Sequence, residues 1–433
     1  MKIGMQTWGS HGDIRPFLAL AEGLQAAGND VHLLITCVDS DAYRDIVSAA
    51  GVKITLVASP VLTPEQQENI GRTAYAIRNP MTQMKAILRL CLEPVEDAMF
   101  DAARRLCAES DVLIGHYFLY PLQTAAESAG RPYVSVLLSH AGVPSDFDHP
   151  LTMPGAGKVV HRLLWWLTRT LLNRGLKHYP DRLRAQLGMA PLRDVVTQIW
   201  LSQHLTLVAV SPTMCAARPD WPVPVRVCGF LDMPNLAMEG QLSPDLTDFL
   251  AAGEAPVYMT FGSWMPRDRM GQAKVVRLLT AAARQAGCRA IIQAPSAAAC
   301  GFHGDGNILY VATAPHHAVF PRCRAIVHHG GAGTTQSAMR AGTPSVVVAN
   351  ISEQEHWGKE LRRLGIGGRP VKRRNVTAAA LARRIRDVLA APAMTARAAQ
   401  VADAMAAERG VDTAVDLVMR TFAQRQADAA AVR

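Results

Sequence analysis

Residues 1–36 read MKIGMQTWGSHGDIRPFLALAEGLQAAGNDVHLLIT. Lys2–Thr7 is a short apolar run that enters a turn rich in small residues, Gly9-Ser10-His11-Gly12. Arg15–Gly28 carries helical periodicity and ends on a glycine, the residue that closes helices in the left-handed conformation. Val31–Thr36 is then a second apolar run of strand length. Two strands joined by a helix form a crossover unit, and a crossover unit makes a parallel sheet.

The same alternation continues outward from this stretch. Lys53–Val57, Val112–Gly115, Tyr133–Leu138 and Leu205–Val210 read as strands, with Pro80–Ala108 and Val159–Leu187 helical between them. A proline-punctuated stretch without periodicity follows, and the linker is expected at residues 230–245. The pattern then restarts, with strands at Val257–Thr260, Ala290–Gln293, Ile308–Val311, Ala325–Val327 and Ser345–Val348. The chain is therefore expected to be α/β, with one parallel-sheet domain over 1–229 and a second over 246–408. Residues 409–433 are expected to form a C-terminal helix, about Thr413–Arg425, and a frayed Ala-rich tail. At roughly 100–200 residues per domain, 433 residues suit two domains.

Hydrophobic residues at 49% and charged residues at 19% supply two cores and exclude a disordered chain. No stretch approaches the ~18 consecutive apolar residues of a membrane span. The N-terminus reads as a first strand rather than a secretory leader. Eight cysteines lie scattered without a Cys-x-x-Cys pair, which suits a reduced cytoplasmic compartment and argues against a zinc site. The net charge of +9 favours a polyanionic ligand, namely a nucleotide diphosphate, an anionic membrane surface or nucleic acid. The basic clusters are short and lack interleaved aromatics, so no nucleic-acid partner is expected.

The segment with most chemistry is Val327-His328-His329-Gly330-Gly331-Ala332-Gly333-Thr334-Thr335-Gln336-Ser337-Ala338-Met339-Arg340-Ala341-Gly342-Thr343-Pro344. A strand ends at the histidines, small residues make a tight loop, and a helix starts near Thr334. Backbone N–H groups, the helix dipole and two hydroxyls would together cradle a diphosphate. A glycine-rich turn capped by threonine is the plainer alternative. No Gly-Lys-Ser/Thr follows, so this is not a P-loop.

His329 to Pro344 with Glu353-Gln354 resembles the donor-binding signature of the family 1 nucleotide-sugar-dependent glycosyltransferases, in particular the bacterial and sterol-type branch. Thr260-Phe261-Gly262-Ser263, Pro315-His316-His317, Phe320-Pro321-Arg322-Cys323 and the N-terminal Gly9–Pro16 are similar too, in order across nearly the whole chain. The resemblance implies a GT-B fold, two Rossmann-like domains facing a central cleft. It implies an inverting transfer of a hexose from a UDP-sugar, favoured over a TDP-sugar, to a hydroxyl of a small lipophilic acceptor such as a sterol, polyketide or other lipid. No cofactor and no metal is implied beyond that co-substrate.

Carried over by residue, the resemblance assigns the diphosphate to His329, the backbone of Gly331, Ala332, Gly333 and Thr334, and Ser263. Glu353 and Gln354 would bind the sugar, and Asp13 would be the catalytic base. The family usually has Asp-Gln where Glu353-Gln354 stands, which opens the identity of the sugar. Thr313 replaces a tryptophan on which many members stack the base, three residues before His316. Base recognition at Thr313 and His316 would then rely on backbone contacts and apolar walls.

Asp13 alone also reads as a helix N-cap. His11, two residues away, would replace or tune it. His116, at the end of Val112–Gly115, either orients Asp13 in a swapped dyad or is a satisfied histidine in the acceptor-pocket wall. Trp8, Tyr117 and Trp165 complete the expected acceptor side with His116. Lys158–Tyr179 mixes Leu163-Leu164-Trp165-Trp166-Leu167 with basic residues, so it lines the acceptor pocket or lies at the inner face of a membrane. Two other readings stay open: an epimerase or hydrolase acting on a nucleotide sugar, and a non-catalytic helper of the same fold. The oligomeric state is left open.

Overall fold

The computed structural model describes residues 1–74, 77–150, 157–232 and 240–431. Contacts divide the chain into two units. The first comprises Met1–Thr63, Ala76–Asp232 and Glu408–Arg433, and the second Pro64–Tyr75 and Met233–Ala407.

The first unit carries seven parallel strands: β1 (Lys2–Gly9), β2 (Asp30–Cys37), β3 (Lys53–Leu56), β4 (Val112–His116), β5 (Tyr133–Leu137), β6 (Leu205–Val208) and β7 (Val225–Val227). Their order is β3-β2-β1-β4-β5-β6-β7. β1 lies at the centre, pairing Ile3 with Val31 on one side and Val112 on the other. Every residue of β1 after Lys2 is buried, as a strand covered on both faces requires. The strand order reverses between β1 and β4. In open parallel sheets such a switch point, outside the carboxyl ends of the strands, is where ligands bind.

The second unit repeats the plan with six strands: β8 (Val257–Thr260), β9 (Ala290–Gln293), β10 (Ile308–Val311), β11 (Ala325–His328), β12 (Ser345–Ala349) and β13 (Val371–Lys372). The order β10-β9-β8-β11-β12-β13 puts its switch point between β8 and β11. Strict alternation gives each face its own core. Val257, Met259, Val327, Val346 and Val348 pack on one side of the sheet, and Tyr258, Ile291 and Ile326 on the other.

Every strand expected from the sequence is present. β7 and β13 were not expected, being edge strands of three and two residues without a pattern of their own. The first helix spans His11–Ala26, four residues earlier than expected, and Gly28 follows it at φ +83°. The expected helix Pro80–Ala108 is two helices, Pro80–Cys91 and Glu96–Glu109, interrupted at Pro94. Val159–Leu187 likewise divides into Lys158–Leu176 and His178–Gln186. Residues 233–239 of the expected linker lie outside the described residues.

Two segments sit apart from the contiguous division expected above, because contact rather than chain order defines a unit. Pro64–Tyr75 groups with the second unit. The C-terminal helix, Gly410–Ala431, groups with the first. Val418 and Phe422 are buried, and Val411 comes so close to Gly23 that a Cβ there would lie 2.5 Å from it. Glu408 adds hydrogen bonds from the Ser211 and Thr213 hydroxyls at 2.7 and 2.8 Å. The frayed tail lies partly outside the described residues, at 432–433, and the helix itself continues to Ala431. Among the described residues no helix is long and apolar enough to cross a membrane, and the eight cysteines are free.

Candidate active site

The carboxyl end of β1 runs directly into the first helix, so the turn Gly9-Ser10 positions everything that follows. Ser10 is the N-cap and Asp13 the third helical residue, which corrects the reading of Asp13 itself as N-cap. The Asp13 Oδ2 accepts hydrogen bonds from the Ser10 N–H at 2.9 Å and the Ser10 hydroxyl at 3.1 Å, a capping-box arrangement. Gly9 makes this fit. Its φ is +138°, and a Cβ there would lie 2.4 Å from Asp13 Oδ2.

The other carboxylate oxygen, Oδ1, lies 3.8 Å from Nε2 of His116. His116 ends β4, so the pair spans the switch point of the first sheet. The imidazole is buried, and burial lowers its pKa to about 3, so it is neutral at physiological pH. The Phe118 N–H donates to His116 Nδ1 at 3.4 Å, which leaves the ring proton on Nε2, the nitrogen toward Asp13. At 3.8 Å the neutral imidazole faces Asp13 without a direct hydrogen bond, and a positioning role is the proposal to test. If it acts so, His116→Ala should lower turnover roughly tenfold, about 1.4 kcal/mol in the barrier. The acidic limb of the pH–rate profile should also move upward, because the carboxylate loses its facing N–H, and His116→Gln should restore it. A His116→Ala variant with unchanged turnover and profile would return His116 to the pocket wall.

His11 is placed differently. The Tyr43 hydroxyl, kept protonated by burial, shares a hydrogen bond with His11 Nδ1 at 2.5 Å. Desolvation and the Arg15 guanidinium together lower the His11 pKa to about 4. His11 is thus a neutral imidazole engaged by Tyr43, two residues from Asp13 in the same first helical turn.

The expected acceptor residues do not all meet. Tyr117 packs on His116 with ring centroids 4.6 Å apart and meets Trp200 edge-on at 5.7 Å. Trp8 is buried and its indole N–H donates to the Cys91 carbonyl at 2.8 Å. Trp165 donates to the Asp148 carbonyl at 2.9 Å and borders a cavity of about 630 Å³ whose lining includes neither Asp13 nor His116. That lining holds Asp146, Asp194, Asp220, Arg162 and Arg169 beside Trp165 and Trp166, so charged and aromatic groups share it. The helix Lys158–Leu176 also exposes Leu163, Trp166, Leu167 and Leu171.

In the second unit the two loops at the switch point clasp His329. A Cβ on Gly262, in the loop after β8, would lie 3.0 Å from His329 Cε1, and one on Gly331 would lie 2.4 Å from Nε2. Only glycines at both positions let the ring sit there. His329 is buried and burial lowers its pKa to about 4, so it is a neutral hydrogen-bonding group. The helix after the loop is Ala332–Arg340, starting two residues before the expected Thr334, and its N-cap Gly331 offers no side-chain cap. His329 Nδ1, His328 Nε2 and the Thr335 hydroxyl are buried without hydrogen-bond partners among the described residues. Uncapped amides and buried orphan polar atoms are what an anion-binding loop presents. Ser263 lies in the Gly262–Trp264 turn, beside this clasp in sequence.

The remaining donor candidates are placed as follows. Glu353 lies in the first turn of the helix Ser352–Arg363, and its Oε1 accepts from the Trp357 indole at 3.3 Å. Burial raises its pKa. Gln354 is 2% exposed, and its Oε1 accepts from the Asn350 N–H at 2.8 Å and its side-chain amide at 3.1 Å. That oxygen therefore holds the turn after β12, leaving the Gln354 NH₂ as the group suited to a sugar hydroxyl. His316 stacks on Phe320 at 4.3 Å, and Thr313 is exposed in the loop before it. Sequence reading missed the parts played by Gly9, Gly262 and Tyr43, and only the glycines carried a local signal.

The folds and both switch-point loops define a glycosyltransferase of two Rossmann-like domains. Residues 291–418 match the family described as "Erythromycin biosynthesis protein CIII-like, C-terminal domain". The chain is 31% identical over 431 residues to the O-mycaminosyltylonolide 6-deoxyallosyltransferase of Streptomyces fradiae, covering 96% of this chain and 97% of that one. It is 30% identical over 447 residues to a sterol 3-beta-glucosyltransferase of Arabidopsis thaliana, covering 97% of this chain and 68% of the other. The crystal structure of the glycosyltransferase VinC in complex with dTDP superposes with a TM-score of 0.64 at 21% identity, over 97% of this chain and 99% of that one. The chain belongs to the family 1 nucleotide-sugar-dependent glycosyltransferases, and it has the GT-B type of fold.

Proposed function

We propose that this enzyme moves a hexose from a nucleoside-diphosphate sugar to a hydroxyl of a small lipophilic acceptor, a sterol, polyketide or other natural product, with inversion at the anomeric carbon. The observation that carries the reading is the Asp13–His116 pair at the switch point of the first sheet. Asp13 accepts the acceptor's proton as the hydroxyl oxygen attacks the anomeric carbon. The bond from that carbon to the diphosphate oxygen breaks, and the nucleoside diphosphate leaves with the electron pair. The uncapped first-turn amides of Ala332–Arg340 and the neutral His329 stabilise the charge that develops there. Glu353 and the Gln354 NH₂ hold sugar hydroxyls. A single displacement from the opposite side gives inversion.

The lipophilic acceptor class draws on the two relatives named above and on the apolar residues of Lys158–Leu176. UDP-sugar is the first donor to test. TDP-sugar is the second, since VinC holds dTDP and the two bases differ by one methyl group.

Thermal unfolding with UDP, TDP and GDP and their common sugars at near-millimolar concentration tests the donor assignment. A ligand at ~100 times its dissociation constant adds roughly 2.7 kcal/mol. The expected result is stabilisation by one nucleoside diphosphate that disappears in His329→Ala. Absence of a shift with every nucleotide would sink the donor reading.

A further inference from the structure

Arg373 follows β13, the edge strand of the second sheet. Its guanidinium carbon lies 4.6 Å from the centre of the Phe261 ring, and Phe261 follows β8. β11 and β12 stand between β8 and β13 in the sheet. The two side chains together therefore span the carboxyl ends of β11 and β12. Register places this contact over a particular loop. Val327 pairs with Met259 and Val348 with Val371, so alternation carries His329 level with Phe261 on the face that Arg373 also continues. That end of β11 is where the His329 loop begins.

Charge accounting isolates Arg373 further. The neighbouring Lys372 pairs with Glu355 at 3.1 Å, and Lys359 takes the other oxygen of Glu355 at 3.4 Å. Glu353 is engaged by Trp357. Among the described residues the Arg373 side chain makes no ion pair and no hydrogen bond, and the Phe261 ring is its partner. Burial lowers its pKa to about 10, so it remains a cation at neutral pH. A partly desolvated guanidinium without an anion is costly, and a ring face offsets only part of that cost.

We propose that Arg373 is an additional anion-binding residue of the donor half-site, its guanidinium fork taking oxygens of the donor's diphosphate. The inference rests on the donor reading above. A planar guanidinium matches phosphate oxygens in bidentate fashion, which a lysine does not. It would add charge to a loop whose own imidazoles are neutral, since the amides, hydroxyls and histidines of that loop supply only dipoles.

Isothermal titration of UDP, TDP and the corresponding nucleosides tests this in the wild-type chain and in Arg373→Ala, Arg373→Gln and Arg373→Lys. Thermal unfolding of each without ligand is measured alongside. The expected result is about tenfold or greater weakening of the nucleoside diphosphate in the Ala and Gln variants. Nucleoside affinity should be unchanged, Arg373→Lys intermediate, and unliganded stability equal to or above wild type. Wild-type diphosphate affinity in both the Ala and Gln variants overturns the proposal, as does an equal loss for nucleoside and diphosphate. Binding that depends on His329 but not on Arg373 removes Arg373 alone. A wild-type chain that binds no nucleoside diphosphate removes the donor reading and Arg373 with it.

Discussion

Asp13→Asn is expected to lower turnover by about 10²–10⁴-fold while leaving nucleoside diphosphate binding intact. The substitution is nearly isosteric, and the amide oxygen can still accept from the Ser10 N–H that holds Oδ2 at 2.9 Å. The helix start is therefore retained, and stability should change by no more than about 1 kcal/mol, the usual scale of a cap. What is lost is the oxygen that faces His116. An amide NH₂ there accepts no proton, and His116 is neutral with its own proton already directed to the same point. The neighbouring His11 has its Nδ1 engaged by Tyr43. The measurement is sugar transfer to a hydroxylated acceptor, with the nucleotide-dependent unfolding shift as the control for donor binding. Turnover above about a tenth of wild type would remove Asp13 from the role of base, because a group that does general-base work contributes more than that.

The division between what could be read and what could not follows the range of each interaction. The strands were legible because burial on both faces leaves an unbroken apolar run, as in Leu33–Ile35 or Val346–Val348. The helix limits were less so, since the start at His11 depends on a capping contact between Ser10 and Asp13. β13 has two residues and is defined by its pairing to Val348 and Ala349, which no local pattern announces. The site divides similarly. The loops at 9–13 and 328–335 carry their chemistry in contiguous residues, so their place at the strand ends could be read. The Arg373–Phe261 and Tyr43–His11 contacts join residues 112 and 32 positions apart in the chain, and only the fold brings them together. Trp165 is similar: its aromatic, apolar surroundings could be read along the chain, but the tie of its indole to the Asp148 carbonyl could not.

Gly330→Ala is expected to damage the second unit more than any other single methyl in the donor loop. Gly330 has φ +88°, where an L side chain is strained by about 1–3 kcal/mol. The added Cβ would also lie 2.6 Å from the Gln354 carbonyl oxygen and 2.8 Å from Val347 Cγ1. Neither neighbour yields cheaply, because Gln354 is in the first turn of Ser352–Arg363 and Val347 is buried in β12. Overpacking of this kind typically adds about 1–3 kcal/mol. The sum, about 2–6 kcal/mol, is a large part of the stability of an ordinary domain. The loop would have to shift, moving His329 and Gly331 on either side of it, so nucleoside diphosphate affinity should fall together with stability. Gly333 supplies the contrast three residues on. A Cβ there meets nothing within 4 Å, and the residue is inside a helix, so Gly333→Ala should fold with stability equal to wild type or up to about 1 kcal/mol higher. Chemical denaturation of both variants, followed by nucleotide titration, separates the effects. A Gly330→Ala chain as stable as wild type, with its affinity intact, would show that the turn relaxes freely. The diphosphate would then be held by something other than the fixed backbone between His329 and the helix.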